Sequence, residues 1–372
     1  MNARVPAEVF PPGEFLREEL EAREWSQQEL ADILDRPPRL ISELIAGKRA
    51  ITPETAKGLA DAFGTSPDYW MNLESQYQLS KIKVPNDNVA RKARLYGKFP
   101  VREMLRRGWV RPSESILVLE RRFCEFFGVP SIDVEPELCH RGKKSDALAQ
   151  ASPLQYAWIF RVKAMASLQV VPDYTEAKLR AALDKLKSLI LSPEEVRHVP
   201  RILAEAGVRL VFVEPMAGSK MDGACFWLDG ERPVIGMTIR FDRIDNFWFV
   251  LRHEIEHVLS EDGKAENEVV VDTDLGNDKG VLSECERLAN EAGAEFCVPT
   301  TELENFVARV QPYFSEEKIL RFAQRINVHP GLVVGQLQRK LDRHDFLRKY
   351  QVKVRSFVLP SADADGWGSF SE

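Results

Sequence analysis

The stretch FVLRHEIEHVLS, residues 249–260, places two histidines and a glutamate inside an apolar run of helical length. His253 and His257 are one helical turn apart, so both imidazoles can converge on one metal ion. Glu254, between them, can reach a water molecule on that ion. Zinc lowers the pKa of such a water from ~15.7 towards ~7, which makes a nucleophile available at neutral pH. The stretch therefore predicts zinc ligands at His253 and His257 and a general base at Glu254.

An amphipathic helix that carries two histidines by chance is the alternative interpretation. The residues around the motif are strongly apolar: Phe247, Trp248, Phe249, Val250, Leu251, Val258 and Leu259. A helix of this composition is expected to be buried, where histidine and glutamate side chains without partners are costly. A bound metal ion would satisfy them, which favours the zinc site.

A third protein ligand is needed if one position on the zinc is to stay open for water. In SECERLANEAGAEFCVP, residues 283–299, Glu286 and Asn290 are four residues apart and share one helix face. Glu286 is predicted to bind zinc, with Asn290 supporting it. Alternatively, Ser283 and Glu286 form a capping box that only closes the start of this helix. Three further carboxylates in the preceding acidic loop stay open as candidates: Glu261, Asp262 and Asp272.

The segments around the motif alternate between strand and helix patterns. Three short runs between residues 208 and 239, VRLVFVEP, GACFWLDG and PVIGMTI, are rich in β-branched and aromatic residues and predict a small sheet. Residues 100–205 have mainly helical periodicity, as do EEKILRFAQRI and PGLVVGQLQRKLDRH near the end. The fold class is therefore predicted to be α+β, mainly α.

Composition and the positions of turn-forming residues divide the chain into four parts. Residues 1–79 are predicted to form a helical domain, and 80–200 a linker followed by a helical middle region. Residues 201–355 form the domain with the metal motif. Residues 356–372, which include PSADADGWGSFSE, are predicted to be a flexible tail. Within the second part, the polar stretch 80–93 is the predicted linker.

Five closely spaced helices are predicted in residues 1–79. Ser26 with Glu29 forms a capping box that opens SQQELADIL, and Thr52-Pro53 and Ser66-Pro67 open two later helices. SQQELADIL and PRLISELIA, joined by a three-residue turn, have the layout of a helix-turn-helix, whose second helix enters the DNA major groove. The domain is therefore predicted to read double-stranded DNA.

The second helix of this pair turns Arg39, Ser42 and Glu43 outward. Arg39 can pair bidentately with guanine and Glu43 can accept from cytosine. The predicted DNA-binding set, including cations and amides for phosphate contacts, is Gln27, Arg36, Arg39, Ser42, Glu43, Lys48 and Arg49. The alternative is an ordinary helical bundle with a charged face, since residues 1–79 hold 8 Lys/Arg against 14 Asp/Glu.

Composition also narrows the cellular setting. The chain has five cysteines and no CxxC pair, which is typical of a reducing compartment rather than a disulfide framework. A thiolate of Cys285 or Cys297 could still fill the open zinc position. The sequence contains no signal-peptide pattern and no apolar window long enough to cross a membrane. A cytoplasmic, soluble protein is expected. A basic segment, residues 81–111, either binds nucleic acid or is a solvated face.

The N-terminal segments PPGEFLREELEAREWSQQELADIL, residues 11–34, and LISELIAGKRAITPETAKGLADAFGTSPDYWMNLESQYQL, residues 40–79, resemble the XRE-type domain of HigA-family antitoxins. The resemblance implies a lambda-repressor-like fold, operator DNA as partner, and a homodimer that represses its own promoter. It also implies a toxin protein as a partner. Asp35 stands where that family usually has a turn glycine, and Asp tolerates the left-handed conformation.

RHEIEHVL, residues 252–259, followed by ERLANEAGAEFCVP, residues 286–299, resembles the ImmA/IrrE family of zinc metallopeptidases. The resemblance covers about residues 200–345. It implies a zincin-like domain, zinc as cofactor, and metal binding by Glu286. Ala292 departs from that family, which usually has an aromatic residue there. Members of that family typically relieve repression by cutting an XRE-type repressor.

Together these features predict an autorepressor with a fused zinc-dependent endopeptidase domain. The predicted substrate is a repressor, either the chain itself or a partner, cut in response to a stress or phage signal. The alternative is a HigA-like antitoxin that represses its operon and neutralises a toxin. In that case the zinc domain is structural or sensory.

Overall fold

A computed structural model of the chain describes residues 9–82, 87–134, 136, 139–141, 151–265, 268–273, 275, 282–343 and 347–366. They fall into two compact units, unit 1 with residues 1–89 and unit 2 with residues 90–372. Residues 90–200 of the predicted middle region therefore form one unit with the residues of the metal motif, and residues 80–89 belong to unit 1. The mainly helical α+β class is confirmed, with one mixed sheet in unit 2.

Unit 1 is a bundle of short helices, as the sequence predicts. Its five helices are α1 (Pro12–Ala22), α2 (Gln27–Ile33), α3 (Pro38–Ile45), α4 (Pro53–Phe63) and α5 (Pro67–Ser80). The predicted capping box of Ser26 and Glu29 is present, and Thr52 and Ser66 cap α4 and α5. Asp35, in the turn between α2 and α3, has φ 49°, so the left-handed conformation predicted for it is confirmed.

The core of unit 1 holds the helix-turn-helix pair in place. Leu30 of α2 and Ile41 of α3 are fully buried, together with Leu59 and Trp70 from α4 and α5. Burying each such side chain stabilises the fold by roughly 1.5–3 kcal/mol. Gly13 lets α1 approach the end of α3, because a Cβ there would lie 2.4 Å from the Ile45 carbonyl oxygen. The outer side of α3 is consequently the side left exposed.

Unit 2 contains twelve α-helices among its described residues. They are α6 (Asp87–Lys98), α7 (Val101–Arg106), α8 (Ile116–Phe127), α9 (Pro153–Leu168), α10 (Glu176–Leu189), α11 (Val199–Glu205), α12 (Ile244–Leu259), α13 (Glu284–Cys297), α14 (Thr300–Val310), α15 (Glu316–Arg325), α16 (Pro330–Leu341) and α17 (Arg355–Val358). The boundary between the two units falls inside the predicted linker 80–93, whose last seven residues are helical and lie in α6. That helix buries Leu95 and pairs Arg91 with Glu120. Residues 83–86 of the linker lie outside the described residues.

The sheet of unit 2 has six strands in the order β1-β5-β3-β4-β2-β6. Their bounds are β1 (Cys139–Arg141), β2 (Arg209–Val213), β3 (Met221–Leu228), β4 (Arg232–Met237), β5 (Glu268–Thr273) and β6 (Asp363–Asp365). β3 runs antiparallel to β4 and β5, whereas β4 and β6 run parallel to β2, and β1 runs parallel to β5. The three predicted strands are confirmed as β2, β3 and β4.

Both faces of the sheet are covered. Because side chains alternate along a strand, Phe212 of β2 packs on one side with α12 and α16, while Val211 packs on the other with α8 and α9. The same alternation places Cys225 and Phe226 of β3 in the two different cores. Burial on both faces explains why these strands are almost continuously apolar.

The predicted flexible tail, residues 356–372, is wrong for the residues that the structure describes. Val358 and Leu359 are buried, and β6 pairs in parallel with β2. Asp365 then accepts hydrogen bonds from Trp109 Nε1 and Arg161 Nε, both at 2.6 Å. This half-buried polar anchor and the apolar contacts hold the segment on unit 2. Residues 367–372 lie outside the described residues.

We expect Asp365→Asn to lower the free energy of unfolding of the chain by about 1–3 kcal/mol, because it weakens two hydrogen bonds to a half-buried carboxylate. Urea denaturation followed by circular dichroism measures the change. Asp363→Asn is the matched control, since Asp363 lies on the same strand and is exposed. An equal loss in the two variants would show that Asp365 is not the anchor.

None of the helices that the structure describes is both long and apolar enough to cross a membrane.

Candidate metal centre and helix-turn-helix surface

The two histidines of the motif lie on the buried side of α12. His253, Glu254 and His257 are all 0% exposed, in a helix that also buries Phe247, Val250 and Val258. The Nε2 atoms of the two histidines are 3.1 Å apart. The spacing of four residues therefore brings both imidazoles to one point inside unit 2.

Two carboxylates from other elements reach the same point. Glu286, on α13, places its carboxylate oxygens 3.7 Å from His253 Nε2 and 3.6 Å from His257 Nε2. Asp272, on β5, places Oδ2 3.2 Å and 3.7 Å from the same two nitrogens. The donor atoms of these four buried residues all lie within 4.8 Å of one another. We call these four residues the metal cluster.

Of the carboxylates that the sequence left open, Asp272 is the one that belongs to the metal cluster. The prediction missed this because it assigned Asp272 to a loop, whereas the structure places it in a strand next to β3. The run of three valines before it, Val269–Val271, is the signal that could have identified the strand. The pairing with β3, which points Asp272 inward, is not visible in the local sequence.

The metal cluster fits a divalent cation of zinc size. Four ligands about 2.0–2.1 Å from a tetrahedral ion lie about 3.3 Å from each other. The separations between the histidine nitrogens and the carboxylate oxygens, 3.2–3.7 Å, lie close to that spacing, and all four donor atoms lie within 4.8 Å of one another. Two carboxylates and two imidazoles form a nitrogen and oxygen donor set that suits zinc. Burying these carboxylates without a cation would be costly.

The capping box proposed for Ser283 and Glu286 forms only in part. Ser283 Oγ accepts a hydrogen bond from the Glu286 backbone N–H, at 3.4 Å. The Glu286 carboxylate instead points to the two histidines, so this residue both begins α13 and joins the metal cluster.

A neighbouring carboxylate orients one imidazole. Asp262 Oδ2 lies 2.9 Å from His257 Nδ1, an arrangement that fixes the ring and directs Nε2 to the metal cluster. Asn290, predicted to support Glu286, is half-buried on α13. Among the described residues, it makes no hydrogen bond to Glu286 or to the histidines. The supporting contact that the structure shows therefore comes from Asp262, which follows α12 directly.

Glu254 lies beside the metal cluster, against the backbone of β3. A Cβ at Gly223 would lie 1.9 Å from Glu254 Oε1, so only glycine leaves room for this carboxyl group. Burial, helped by the neighbouring charge of Asp272, raises the pKa of Glu254 well above its usual range. Burial also opposes ionisation of Asp272, but the imidazole of His253 holds the pKa of Asp272 below its usual value.

We expect Gly223→Ala to lower the free energy of unfolding by about 1–3 kcal/mol, because the new methyl group displaces a buried side chain. Gly97→Ala is the matched control. Gly97 lies on α6, and a Cβ there meets no other atom within 4 Å. Alanine at that position is expected to leave stability equal or to raise it by up to about 1 kcal/mol. Equal losses in the two variants, measured by urea denaturation, would contradict the close packing described for Gly223.

The predicted DNA-binding residues lie at the surface of unit 1. Gln27, Arg36, Arg39, Ser42, Lys48 and Arg49 are exposed, and Glu43 is partly exposed. Glu43 accepts a hydrogen bond from Arg39 at 2.7 Å and lies 3.5 Å from Arg49. The hydrogen bond from Arg39 lowers the pKa of Glu43. Arg36 is paired with Glu54.

These ion pairs affect how the predicted cations can contact DNA. Three of the four predicted cations have carboxylate partners on the protein. Each pair uses one guanidinium nitrogen, so the remaining N–H groups can still reach phosphate or base. Glu43 is thus placed to restrain Arg39 and Arg49, in addition to the contact with cytosine predicted for it.

Two cations of the basic segment 81–111, Arg91 and Arg107, make contacts within unit 2. Arg107 donates hydrogen bonds to the backbone carbonyls of Glu214 and Pro215, and its side chain is 6% exposed. Arg91 pairs with Glu120. These contacts favour a structural role for Arg91 and Arg107, whereas Lys92, Arg102 and Arg111 of the same segment are exposed.

The comparisons with known proteins concern unit 1. Residues 16–70 match the helix-turn-helix family. The relative named uncharacterized HTH-type transcriptional regulator YddM, from Escherichia coli strain K12, is 36% identical over 84 residues, which are 23% of this chain and 88% of the relative. Virulence-associated protein I of Dichelobacter nodosus is 39% identical over 79 residues, 21% of this chain and 73% of the relative.

Solved structures are also similar over this part of the sequence. The Pseudomonas aeruginosa antitoxin HigA, solved with the higBA promoter, is 33% identical, with 20% of this chain and 82% of that chain covered and a TM-score of 0.20. Each of these similarities spans less than a quarter of this chain. Through its N-terminal unit, the chain belongs to the helix-turn-helix family of DNA-binding transcriptional regulators.

Proposed function

We propose that the chain is a repressor that binds operator DNA through unit 1 and hydrolyses a peptide bond at a zinc centre in unit 2. The observation that carries the hydrolytic half is the burial of two imidazoles and two carboxylates around one point, with Glu254 beside them. His253, His257 and Glu286 would hold the zinc ion. The resemblance of residues 200–345 to zinc metallopeptidases supports the same assignment.

Glu254 is the residue best placed to move a proton in this reaction. A zinc ion held by His253, His257 and Glu286 would supply a Lewis acid for the scissile carbonyl and for water. The charge of a bound cation would favour the ionised form of Glu254. Its carboxylate would then take a proton from the attacking water and return it to the leaving amine. Gly223 leaves the space in which this carboxyl group sits beside the metal cluster. Asp262 keeps the imidazole of His257 in the orientation for metal binding.

The substrate class follows from the pairing of the two units in one chain. A DNA-binding unit and a hydrolytic unit on one polypeptide bring the peptidase to the operator, where repressor molecules are concentrated. The proposed substrate is therefore a helix-turn-helix repressor, either this chain or a partner, cut when a stress or phage signal arrives.

We expect Glu254→Gln to reduce cleavage of such a substrate by about 10²–10⁴-fold, because it removes the proton acceptor and leaves the ligands in place. Fragment yield is measured with zinc-loaded full-length protein, and the zinc content is measured in parallel. Glu256→Gln is the matched control, since Glu256 lies on the same helix, partly exposed, and pairs with Arg252. Equal fragment yields from wild type and Glu254→Gln would refute a proteolytic role.

For the DNA-binding half we propose a homodimer on a two-fold operator, with half-sites about 34 Å apart, as in other helix-turn-helix dimers. Arg39→Ala is expected to weaken operator binding by about 1–3 kcal/mol, because it removes a bidentate base contact. Glu43→Gln is expected to tighten non-specific binding, since it releases two cations for phosphates. Fluorescence anisotropy across a salt series measures both effects.

Lys57→Ala is the charge-matched control for Arg39→Ala, because Lys57 is exposed on α4, outside the helix-turn-helix pair. A loss of operator affinity equal to that of Arg39→Ala would contradict the placement of Arg39 in the major groove. In that case the effect of either variant would reflect net charge alone.

A second candidate function is a HigA-like antitoxin with a structural zinc centre. The observation that favours it is the number of protein donors, since four ligands fill a tetrahedral structural site. The test is co-expression with a toxin-sized reading frame that neighbours the gene, followed by size-exclusion chromatography. A stable complex and rescue of growth would support the antitoxin, and free elution of the two proteins would reject it.

A further inference from the structure

Asp272 supplies one more donor than a hydrolytic zinc centre needs. It is fully buried on β5, with Oδ2 3.2 Å from His253 Nε2 and 3.7 Å from His257 Nε2. Its distances to the histidines match those of Glu286, the third ligand under the proposed function. A catalytic zinc site keeps three protein ligands and one open position, whereas a closed site has four.

We propose that Asp272 is the fourth ligand of the metal and closes the centre in this conformation, an inference that rests on the metal site of the proposed function. In this arrangement the carboxylate of Asp272 takes the position on the ion that the reacting water needs. The centre is latent while Asp272 is bound, and hydrolysis requires Asp272 to leave. Among the described residues, the metal cluster contains no cysteine, so a thiolate is not the fourth donor there.

β3, the strand next to β5, contains a β-bulge opposite Asp272. On β3, Met221 pairs with Thr273 and Gly223 pairs with Asp272, so Asp222 is an extra residue in the ladder. Such bulges redirect side chains near functional sites. Asp222 Oδ2 accepts a hydrogen bond from the backbone N–H of Leu275, at 2.8 Å, three residues after Asp272.

A second contact fixes this support. Arg240 Nε lies 3.1 Å from Asp222 Oδ1, and the Asp222 side chain is 1% exposed. The pair therefore pins the chain just beyond the end of β5. Asp272 can withdraw from the metal only if this end of the strand shifts, and the Asp222 to Leu275 hydrogen bond opposes that shift. Asp222 and Arg240 are positioning residues for the closed state.

The test compares access of a small anion to the metal in the full-length protein. Cobalt(II) replaces zinc, because its visible absorption reports ligand number and exchange. Wild type, Asp272→Ala and Asp272→Asn are loaded with one equivalent of cobalt, and azide is then titrated to millimolar levels. Cobalt affinity is measured by competition with a chromophoric chelator. Glu261→Ala is the control, since Glu261 is an exposed carboxylate near the centre that pairs with Lys264.

Wild type and Glu261→Ala are expected to show a four-coordinate spectrum that azide does not change. Both Asp272 variants are expected to bind cobalt on the order of tenfold more weakly or worse and to change their spectrum with azide. Asp272→Asn keeps the size of the side chain, so the comparison survives if the alanine variant does not fold.

Two other outcomes would each overturn the inference, for different reasons. A wild-type spectrum that responds to azide as the Asp272 variants do would overturn the closed site and leave the proposed hydrolase intact. Failure of wild type and both Asp272 variants to bind one equivalent of cobalt would overturn the metal centre and this inference with it. The wild-type titration alone separates these cases.

Discussion

Five ionisable side chains are buried together where α12, α13 and β5 meet, and the balance of their charges constrains the surrounding fold. They are His253, Glu254, His257, Asp272 and Glu286, each at most 1% exposed. A buried ion without a partner costs several kcal/mol, at about the scale of the net stability of a domain. Two imidazoles alone do not offset three carboxyl groups at neutral pH. The packed core is therefore compatible with this cluster when a cation shares the charge or when Glu254 stays protonated.

Close backbone approach makes this geometry attainable. Gly223 lets the Glu254 carboxyl group sit against β3, and Gly293 lets α13 approach α12, since a Cβ there would lie 3.0 Å from the Phe249 carbonyl oxygen. Larger residues at either position would push the elements apart and separate the ligands. The two glycines therefore contribute by setting the distances between these elements. The aromatic residue expected where Ala292 stands is not needed to bring Glu286 to the histidines.

The sequence predicts those features of the structure that are set by residues close to one another in the chain. His253, Glu254 and His257 were predicted because one helical turn sets their relation, and Glu286 because it starts the next helix on a recognisable motif. Asp272 was not assigned, because its role depends on pairing between β5 and β3, which are about fifty residues apart in the chain. Because its contacts are also with distant residues, the sequence alone predicts a flexible tail where the structure has β6. Its partners, Trp109 and Arg161, are more than 200 residues away.

The same distinction applies to unit 1. Caps and turns at Ser26, Thr52 and Ser66 are set by residues three positions apart, and all of them are confirmed. The ion pair of Glu43 with Arg39 joins residues four positions apart on α3 and is equally local. The pair of Arg36 with Glu54, by contrast, joins residues 18 positions apart on different elements, which the pattern of helices does not specify. Local signals thus predict where a surface lies, and tertiary contacts decide which charges on it are free.

Under the proposed function, the separate cores of the two units would limit how cleavage could relieve repression. Every residue in the core of unit 1 lies between Leu16 and Trp70, so unit 1 does not need unit 2 to bury its apolar side chains. A cut between the units would leave that core complete and the surface of α3 in place. Self-cleavage would therefore end DNA binding only if the cut falls inside unit 1 or if unit 2 supplies the contacts of the dimer. A peptidase acts on extended chain. A cut inside unit 1 would therefore be expected in the exposed turn from Ala46 to Ala50, directly after α3.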